Sequence, residues 1–192
     1  MEIGIDFYKE ELKKQVSNSR YLHSLGVANS AKILAIRFGA DPEKTEIAGI
    51  LHDYCKDLDK EELIRIIEET DELPNDLLEY NDEIWHGPVA SVIIKEKFNI
   101  TDEEIINSIR HHTSGRRNMS LIEKIVCLAD YIEPNRKFEG VDKIRILAEK
   151  DLDKALLATL DGTMNFLLEK KMKIYYLTFE ARNCLIDEIA KK

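Results

Sequence analysis

The amino-acid sequence predicts an all-α protein, a single helical bundle. Three observations indicate this fold. Apolar residues recur at spacings of three and four over long stretches, which is the period of an amphipathic helix. Polar residues that can cap a helix precede these stretches. The 192 residues include only 8 glycines and 4 prolines, too few for a turn-rich β architecture, and no segment alternates as a strand would.

The helices in the first part of the chain are predicted from their end signals. A long helix spans about Arg20 to Phe38 and stops at Gly39. Asp41-Pro42 then supplies an N-cap and a first-turn proline. The helix that they start is expected to run through Ile50 to about Lys56.

Later helices are predicted in the same way. Three begin with capping-box spacing, in which Asp59, Thr101 and Ser120 each precede a glutamate by three residues. Further helices are expected at about Val141 to Lys150, Leu152 to Lys171 and Thr178 to Ala190. We find no repeat or linker, so one domain is expected over residues 1–192, with a motif-bearing core at about 20–136 and C-terminal helices at about 141–190.

Charge and composition exclude several classes of function. The net charge of −9 argues against broad nucleic-acid binding, which usually needs a basic face. The net charge does not exclude an anionic small substrate, because a bound metal can reverse the sign of the local electrostatic field. No apolar run is long enough for a bilayer, and residues 1–11 lack the pattern of a secretion signal. Three widely spaced cysteines indicate reduced thiols. A cytoplasmic protein without a membrane partner is therefore expected.

The histidines carry the chemical signal. A lone histidine on a helix is usually a core or surface residue whose polar atoms are already hydrogen-bonded. Here, however, two aspartates at the ends of apolar runs are informative. The apolar run at residues 47–51 ends in His52-Asp53, and the run at 125–129 ends in Asp130. Burying such groups is costly unless they are paired. A salt bridge explains either one alone, and a divalent cation is the alternative partner.

Taken together, these residues favour a metal site. Their order is His23, His52-Asp53, His86, His112 and Asp130, each on a separate predicted helix. Four imidazoles and two carboxylates suit borderline ions such as iron, manganese or zinc better than magnesium or calcium. If Asp53 is shared, two ions can each receive several ligands and leave room for a bridging water.

The order of these ligands resembles that of the HD-domain superfamily, H…HD…H…H…D. More closely, the chain resembles the YqeK family, whose members are symmetrical diadenosine tetraphosphate hydrolases with a two-iron centre. The matching segments are His23-Ser24-Leu25-Gly26-Val27, Leu51-His52-Asp53-Tyr54-Cys55-Lys56, His86-Gly87-Pro88-Val89-Ala90, His112-Thr113-Ser114-Gly115-Arg116 and Leu128-Ala129-Asp130-Tyr131-Ile132-Glu133-Pro134.

The resemblance implies a ligand set and a reaction. Two divalent ions, expected to be iron with manganese or zinc as alternatives, would be held by His23, His52, Asp53, His86, His112 and Asp130. The family often has tyrosine before its His-Thr pair, which places the ligand at His112 and leaves His111 at the variable position. Diadenosine tetraphosphate would be cut by a metal-bridging hydroxide into two ADP molecules.

Residues beside the ligand motifs are candidates for catalysis and substrate contact. Asp53 and Lys56 are the expected catalytic residues. Gly49 either permits close helix packing or makes room for substrate. Substrate contacts are expected from Arg20, Gly49, Asp53, Glu83, His112, Thr113, Asp130 and Arg136. The sequence is compatible with a homodimer and does not decide the oligomeric state.

Two other functions are weighed. The first is an HD-type phosphohydrolase that acts on an alarmone, a cyclic dinucleotide or a nucleoside monophosphate. Lys56-Asp57 stands where alarmone hydrolases typically carry Glu-Asp, and the chain has no Gly-Tyr-Pro motif of the cyclic-dinucleotide type. The second is a nucleotide-binding module without catalysis, which the intact ligand set argues against.

Overall fold

The computed structural model describes residues 4–192, and over that range it contains helices but no β-strand. The all-α fold is therefore confirmed. The single domain over residues 1–192 stays a prediction, and residues 1–3 lie outside the described range. The ten α-helices are α1 (Ile5–Gln15), α2 (Asn18–Phe38), α3 (Pro42–Leu51), α4 (Lys60–Glu69), α5 (His86–Phe98), α6 (Glu103–His111), α7 (Leu121–Ile132), α8 (Val141–Ala148), α9 (Leu152–Glu169) and α10 (Tyr176–Ala190). Two short 3₁₀ helices, Asn75–Glu79 and Asp82–Ile84, lie between α4 and α5.

Several predicted helix ends are confirmed. Helix α2 stops at Gly39, whose φ of 79° is left-handed and therefore suits glycine. Asp41 caps α3 by accepting hydrogen bonds from the backbone N–H groups of Glu43 and Lys44. The capping box that begins α7 is formed in both directions between Ser120 and Glu123. Helix α1 was not predicted from the sequence.

The predicted extension of α3 to about Lys56 is wrong, because the helix ends at Leu51. The chain then continues in tight turns, in which Tyr54 N–H donates to Leu51 O at 3.0 Å and Lys56 N–H to Asp53 O at 2.9 Å. Consecutive residues of an α-helix point about 100° apart. His52 still has helical dihedral angles, whereas Asp53 lies in the turns that follow, and both side chains are buried in the same cluster.

Two predicted caps also differ. Helix α6 is capped by Asp102 and not by Thr101, since the Asp102 carboxylate accepts from two backbone N–H groups. A carboxylate is a stronger acceptor for the helix N-terminus than a hydroxyl. Asp59 precedes α4 as expected but makes no side-chain cap hydrogen bond.

The core consists of two apolar clusters. The first joins α1 with α3, α5 and α6 through residues such as Leu12, Ile50 and Ile109. The second joins α2 and α7 with α9 and α10 through residues such as Val27 and Leu156. Helix α2 packs most extensively on α3 and α7. No helix within residues 4–192 is long and apolar enough to span a membrane.

The contact between α2 and α3 depends on Gly49. A Cβ atom at this position would lie 2.7 Å from the Cα atom of Ala28. The two helix backbones therefore approach as closely as they do only because residue 49 has no side chain. This contact sets the relative position of His23 on α2 and His52 at the end of α3.

We predict that Gly49→Ala destabilises the protein by about 1–3 kcal/mol, because the added methyl group must push the two helices apart. Urea denaturation followed by circular dichroism would measure the change. Gly4→Ala is the control, since a Cβ there would meet nothing within 4 Å. Equal stability of the Gly49→Ala variant and the parent would contradict the packing role.

Candidate metal centre

The six predicted ligands converge at one buried point. His23 lies within α2, Asp130 lies near the end of α7, and His86 is the first residue of α5. His52 and His112 immediately follow the last residues of α3 and α6. Four of the six residues, His52, Asp53, His86 and His112, are almost completely buried. Each side chain thus comes from a different helix or from the turn that follows it, except for the adjacent pair His52-Asp53.

Asp53 lies at the middle of the cluster. Its Oδ1 atom is 3.0 Å from His86 Nε2 and 3.7 Å from His112 Nε2. Its Oδ2 atom is 3.3 Å from His52 Nε2 and 3.5 Å from His23 Nε2. The two oxygens of one carboxylate therefore face two separate pairs of imidazoles.

Asp130 lies near His23 and His52, the two histidines that face Oδ2 of Asp53. Its Oδ1 atom lies 3.0 Å from His23 Nε2 and 3.9 Å from His52 Nε2. Two triplets, His23 with His52 and Asp130, and His52 with Asp53 and His112, have ligand atoms that all lie within 4.8 Å of one another. Each triplet is close enough to hold one cation, and because His52 belongs to both, the two triplets are alternative groupings within one centre.

Hydrogen bonds from the Nδ1 atoms, which are the nitrogens that point away from Asp53, fix the orientation of the imidazole rings. His52 Nδ1–H donates to Gly49 O, and His112 Nδ1–H donates to Ile109 O, both at 2.8 Å. A ring that donates through Nδ1 presents an Nε2 lone pair when it is neutral. The buried Nε2 atoms of His23 and His52 have no hydrogen-bond partner in the described chain. Unpartnered nitrogens beside carboxylates are what a divalent metal would satisfy, so these residues fit such an ion.

The pKa shifts in the cluster favour ionised carboxylates and a neutral His112, whereas for His52 burial is outweighed by Asp53, which raises the pKa of that ring. Burial lowers the pKa of His112 to about 3, with help from His52 and His86, so that the ring is neutral. Burial alone would raise the pKa of Asp53, but His52 and His86 hold it well below its usual value. His23, His52 and Arg136 likewise outweigh burial and lower the pKa of Asp130. The site therefore presents carboxylates and at least one neutral imidazole.

Glu133 is a site residue that the sequence analysis missed. Its side chain is buried, and Oε1 accepts from His23 Nδ1 at 3.2 Å while Oε2 accepts from the backbone N–H of Asn135 at 2.8 Å. Gly26 makes room, since a Cβ there would lie 2.6 Å from Glu133 Oε2. The sequence does contain a signal for Glu133, because this residue, like Asp130, is a carboxylate at the end of an apolar run.

Arg145 on α8 holds the loop that carries Glu133. Its guanidinium donates to the carbonyl oxygens of Ile132 at 2.9 Å, Glu133 at 2.7 Å and Arg136 at 2.9 Å. The C-terminal part of the chain thereby fixes a segment that touches the centre.

The predicted cations border the cluster. Arg20 Nη1 lies 2.7 Å from Asp53 Oδ2, and Arg136 Nη2 lies 2.7 Å from Asp130 Oδ1. Lys56 Nζ lies 2.5 Å from Glu83 Oε2 and 3.4 Å from His86 Nδ1. Lys56 reaches the site from a turn and not, as predicted, from the helix of His52.

Two further predicted residues, Thr113 and Gly49, and the neighbouring His111 differ in their surroundings. The Thr113 hydroxyl lies 3.0 Å from His112 Nε2 and so borders the site. Gly49 contacts the backbone of Ala28, which favours the packing interpretation over a substrate contact. His111 belongs to neither ligand triplet and, unlike His86, makes no contact with Asp53 among the described ion pairs.

Comparisons with known proteins agree with this geometry. Residues 20–135 match the HD domain family. The chain is 47% identical over 176 residues to "Bis(5'-nucleosyl)-tetraphosphatase, symmetrical" of Bacillus subtilis (strain 168), which covers 92% of this chain and 94% of that protein. It is 40% identical over 183 residues to the protein of the same name from Staphylococcus aureus (strain NCTC 8325 / PS 47), with 94% of each covered. A crystal structure of a "predicted HD superfamily hydrolase involved in NAD metabolism" from Clostridium acetobutylicum superposes with a TM-score of 0.91 at 42% identity, covering 97% of this chain and 98% of the other.

We predict that His112→Ala lowers the metal content of the purified protein far more than His111→Ala does. Of these two adjacent histidines, it is His112 whose buried Nε2 atom faces Asp53, at 3.7 Å, so we expect the loss of His112 to remove a metal ligand. Elemental analysis of both variants after equal metal loading would measure the difference. The reverse ranking would assign the ligand to His111.

We predict that Glu133→Gln weakens metal binding by about 10- to 100-fold, the usual effect of losing a carboxylate that orients a ligating histidine. Glutamine keeps the size but offers only one acceptor oxygen, so it cannot accept from both His23 and Asn135. Titration of the parent and the variant against a chelator of known affinity would measure their metal affinities. Glu68→Gln, the same change at an exposed position of α4, is the control.

Proposed function

The chain belongs to the HD domain family and, within it, to the symmetrical bis(5'-nucleosyl)-tetraphosphatases, and on this premise we propose that it hydrolyses diadenosine tetraphosphate to two ADP molecules. It is a hydrolase that acts on phosphoanhydride bonds. The observation that carries the proposal is the position of Asp53, whose two oxygens face two separate pairs of imidazoles.

We assign two divalent metal ions to the centre. The first would be held by His23, His52, Asp130 and one oxygen of Asp53, and the second by His86, His112 and the other oxygen of Asp53. The nitrogen-rich ligand set supports iron, with manganese and zinc as alternatives. When bound, such ions polarise phosphate oxygens and lower the pKa of water, which is the chemistry that phosphoanhydride hydrolysis needs.

The arginines beside the centre are assigned to the phosphates. A guanidinium has five N–H donors, and Arg20 uses one of them on Asp53 in the described contacts. Arg136 spends two on Asp130, one on the side chain and one on the backbone carbonyl. The remaining donors can form charge-assisted hydrogen bonds with phosphate oxygens without releasing the ligand carboxylates.

Lys56 is assigned to the ADP that leaves. Its ammonium group lies beside His86 and is held by Glu83, whose side chain is mostly exposed. Glu83 therefore positions Lys56 beside His86, and Thr113 offers a hydroxyl next to His112. In the reaction, the oxygen of water bonds to one central phosphorus atom and the bridging oxygen leaves with the other ADP. A cation near that oxygen stabilises the charge that develops on it.

The identity of the products tests the proposal. We expect metal-loaded protein, kept without oxygen, to convert diadenosine tetraphosphate into ADP alone, with one labelled oxygen per cleavage in labelled water. Chromatography with mass detection would measure both. Asp53→Ala, which removes the shared ligand, should form no product. Formation of ATP and AMP would contradict symmetrical cleavage.

A further inference from the structure

The loop between α7 and α8 carries residues of the centre but has little packing of its own. Asp130 lies in the last turn of α7, and Glu133 and Arg136 lie in the loop that follows. Of residues 133–140, which connect the two helices, all but Glu133 and Arg136 are exposed. A segment with so few buried contacts moves easily unless hydrogen bonds fix it. The geometry of the centre therefore depends on what holds this loop.

One edge of the Arg145 guanidinium holds it. Nε donates to Ile132 O at 2.9 Å, and Nη2 donates both to Glu133 O at 2.7 Å and to Arg136 O at 2.9 Å. Nε carries one hydrogen and Nη2 carries two, so all three donors of this edge are used. The acceptors are main-chain carbonyls, so Arg145 fixes the backbone from which the side chains of Glu133 and Arg136 project.

Arg145 also caps the end of α7. Ile132 is the last residue of that helix, where carbonyl groups lack a hydrogen-bond donor within the helix. A cation is favourable there, because these carbonyls carry the negative end of the helix dipole. Asp130 lies two residues earlier, in the same turn. A residue of α8 thus steadies the turn that brings Asp130 to the cluster.

We propose that Arg145 is a positioning residue that sets the metal affinity of the centre and its binding of phosphate together. It acts through Glu133, which accepts from His23 Nδ1 at 3.2 Å, and through Arg136, whose Nη2 atom donates to Asp130 Oδ1 at 2.7 Å. The effect on phosphate rests on the proposed function, in which Arg136 contacts the substrate. The effect on metal affinity does not.

Titration of metal against a chelator of known affinity tests the first effect without any substrate. Arg145→Ala should weaken metal binding about tenfold, the lower end of the range for losing a group that orients a ligating histidine. Arg145→Lys keeps the charge but gathers its donors on one nitrogen, so it cannot span three carbonyls and should lose nearly as much. Guanidinium chloride, added far below denaturing concentrations, should restore part of the affinity of Arg145→Ala.

Two variants serve as controls. Arg182→Ala removes an arginine whose side chain is 31% exposed, against 28% for Arg145, and which pairs with Asp161 on α9. Asp142→Asn breaks the remaining contact of the Arg145 guanidinium, with a carboxylate that is 85% exposed and therefore contributes little. Both variants should keep the metal affinity of the parent, and neither should respond to guanidinium. Circular dichroism identifies any loss that comes from unfolding, and if Arg145→Ala unfolds, Arg145→Lys decides the test.

Steady-state kinetics at saturating metal tests the second effect. Arg145→Ala should raise KM for diadenosine tetraphosphate about tenfold, the equivalent of one charge-assisted hydrogen bond, and change kcat less. An unchanged KM beside a weakened metal affinity would overturn the coupling to phosphate.

The two proposals fail in different ways. Metal affinity equal to the parent's in folded Arg145→Ala or Arg145→Lys would overturn the positioning role, and formation of two ADP by that protein would leave the proposed function standing. A parent protein that forms no ADP would overturn the proposed function, while the chelator titration would still decide the effect of Arg145 on the metal.

Discussion

Burying four imidazoles and two carboxylates at one point is the constraint on which this structure depends. Removing such groups from water is unfavourable unless each finds a partner. Main-chain carbonyls of Gly49 and Ile109 and the Glu133 carboxylate satisfy the outer nitrogens of three histidines. The inner nitrogens meet at Asp53. Since a metal would satisfy these atoms only in the folded chain, binding the metal also stabilises the fold.

Much of this could be predicted because the signals are local. Ser120 and Glu123 are three residues apart, and their capping box is read directly from that spacing. The His52-Asp53 pair ends an apolar run, and both side chains are buried as that position suggests. The order of the remaining histidines and Asp130 can be read from the sequence, the family resemblance implies that they are ligands, and the structure brings all of them to one cluster.

What could not be predicted depends on contacts between distant parts of the chain. Glu133 is 110 residues from the histidine that it orients, and neither residue alone signals the pair. Helix α3 ends at Leu51, just before the residues that reach His86, and helix propensity does not report this end. The sequence alone leaves Gly49 open between packing and substrate contact, and the position of Ala28 on the neighbouring helix favours packing.

The placement of cations around the centre bears on which bond of a symmetrical substrate is cut. Arg136 lies against Asp130 on one side of Asp53, and Lys56 lies against His86 on the other. A cation on each side can hold the phosphates on both sides of the bond that breaks. The central bond of diadenosine tetraphosphate has two phosphates on each side, so both sets of cations are used when that bond lies at Asp53 and both products are ADP.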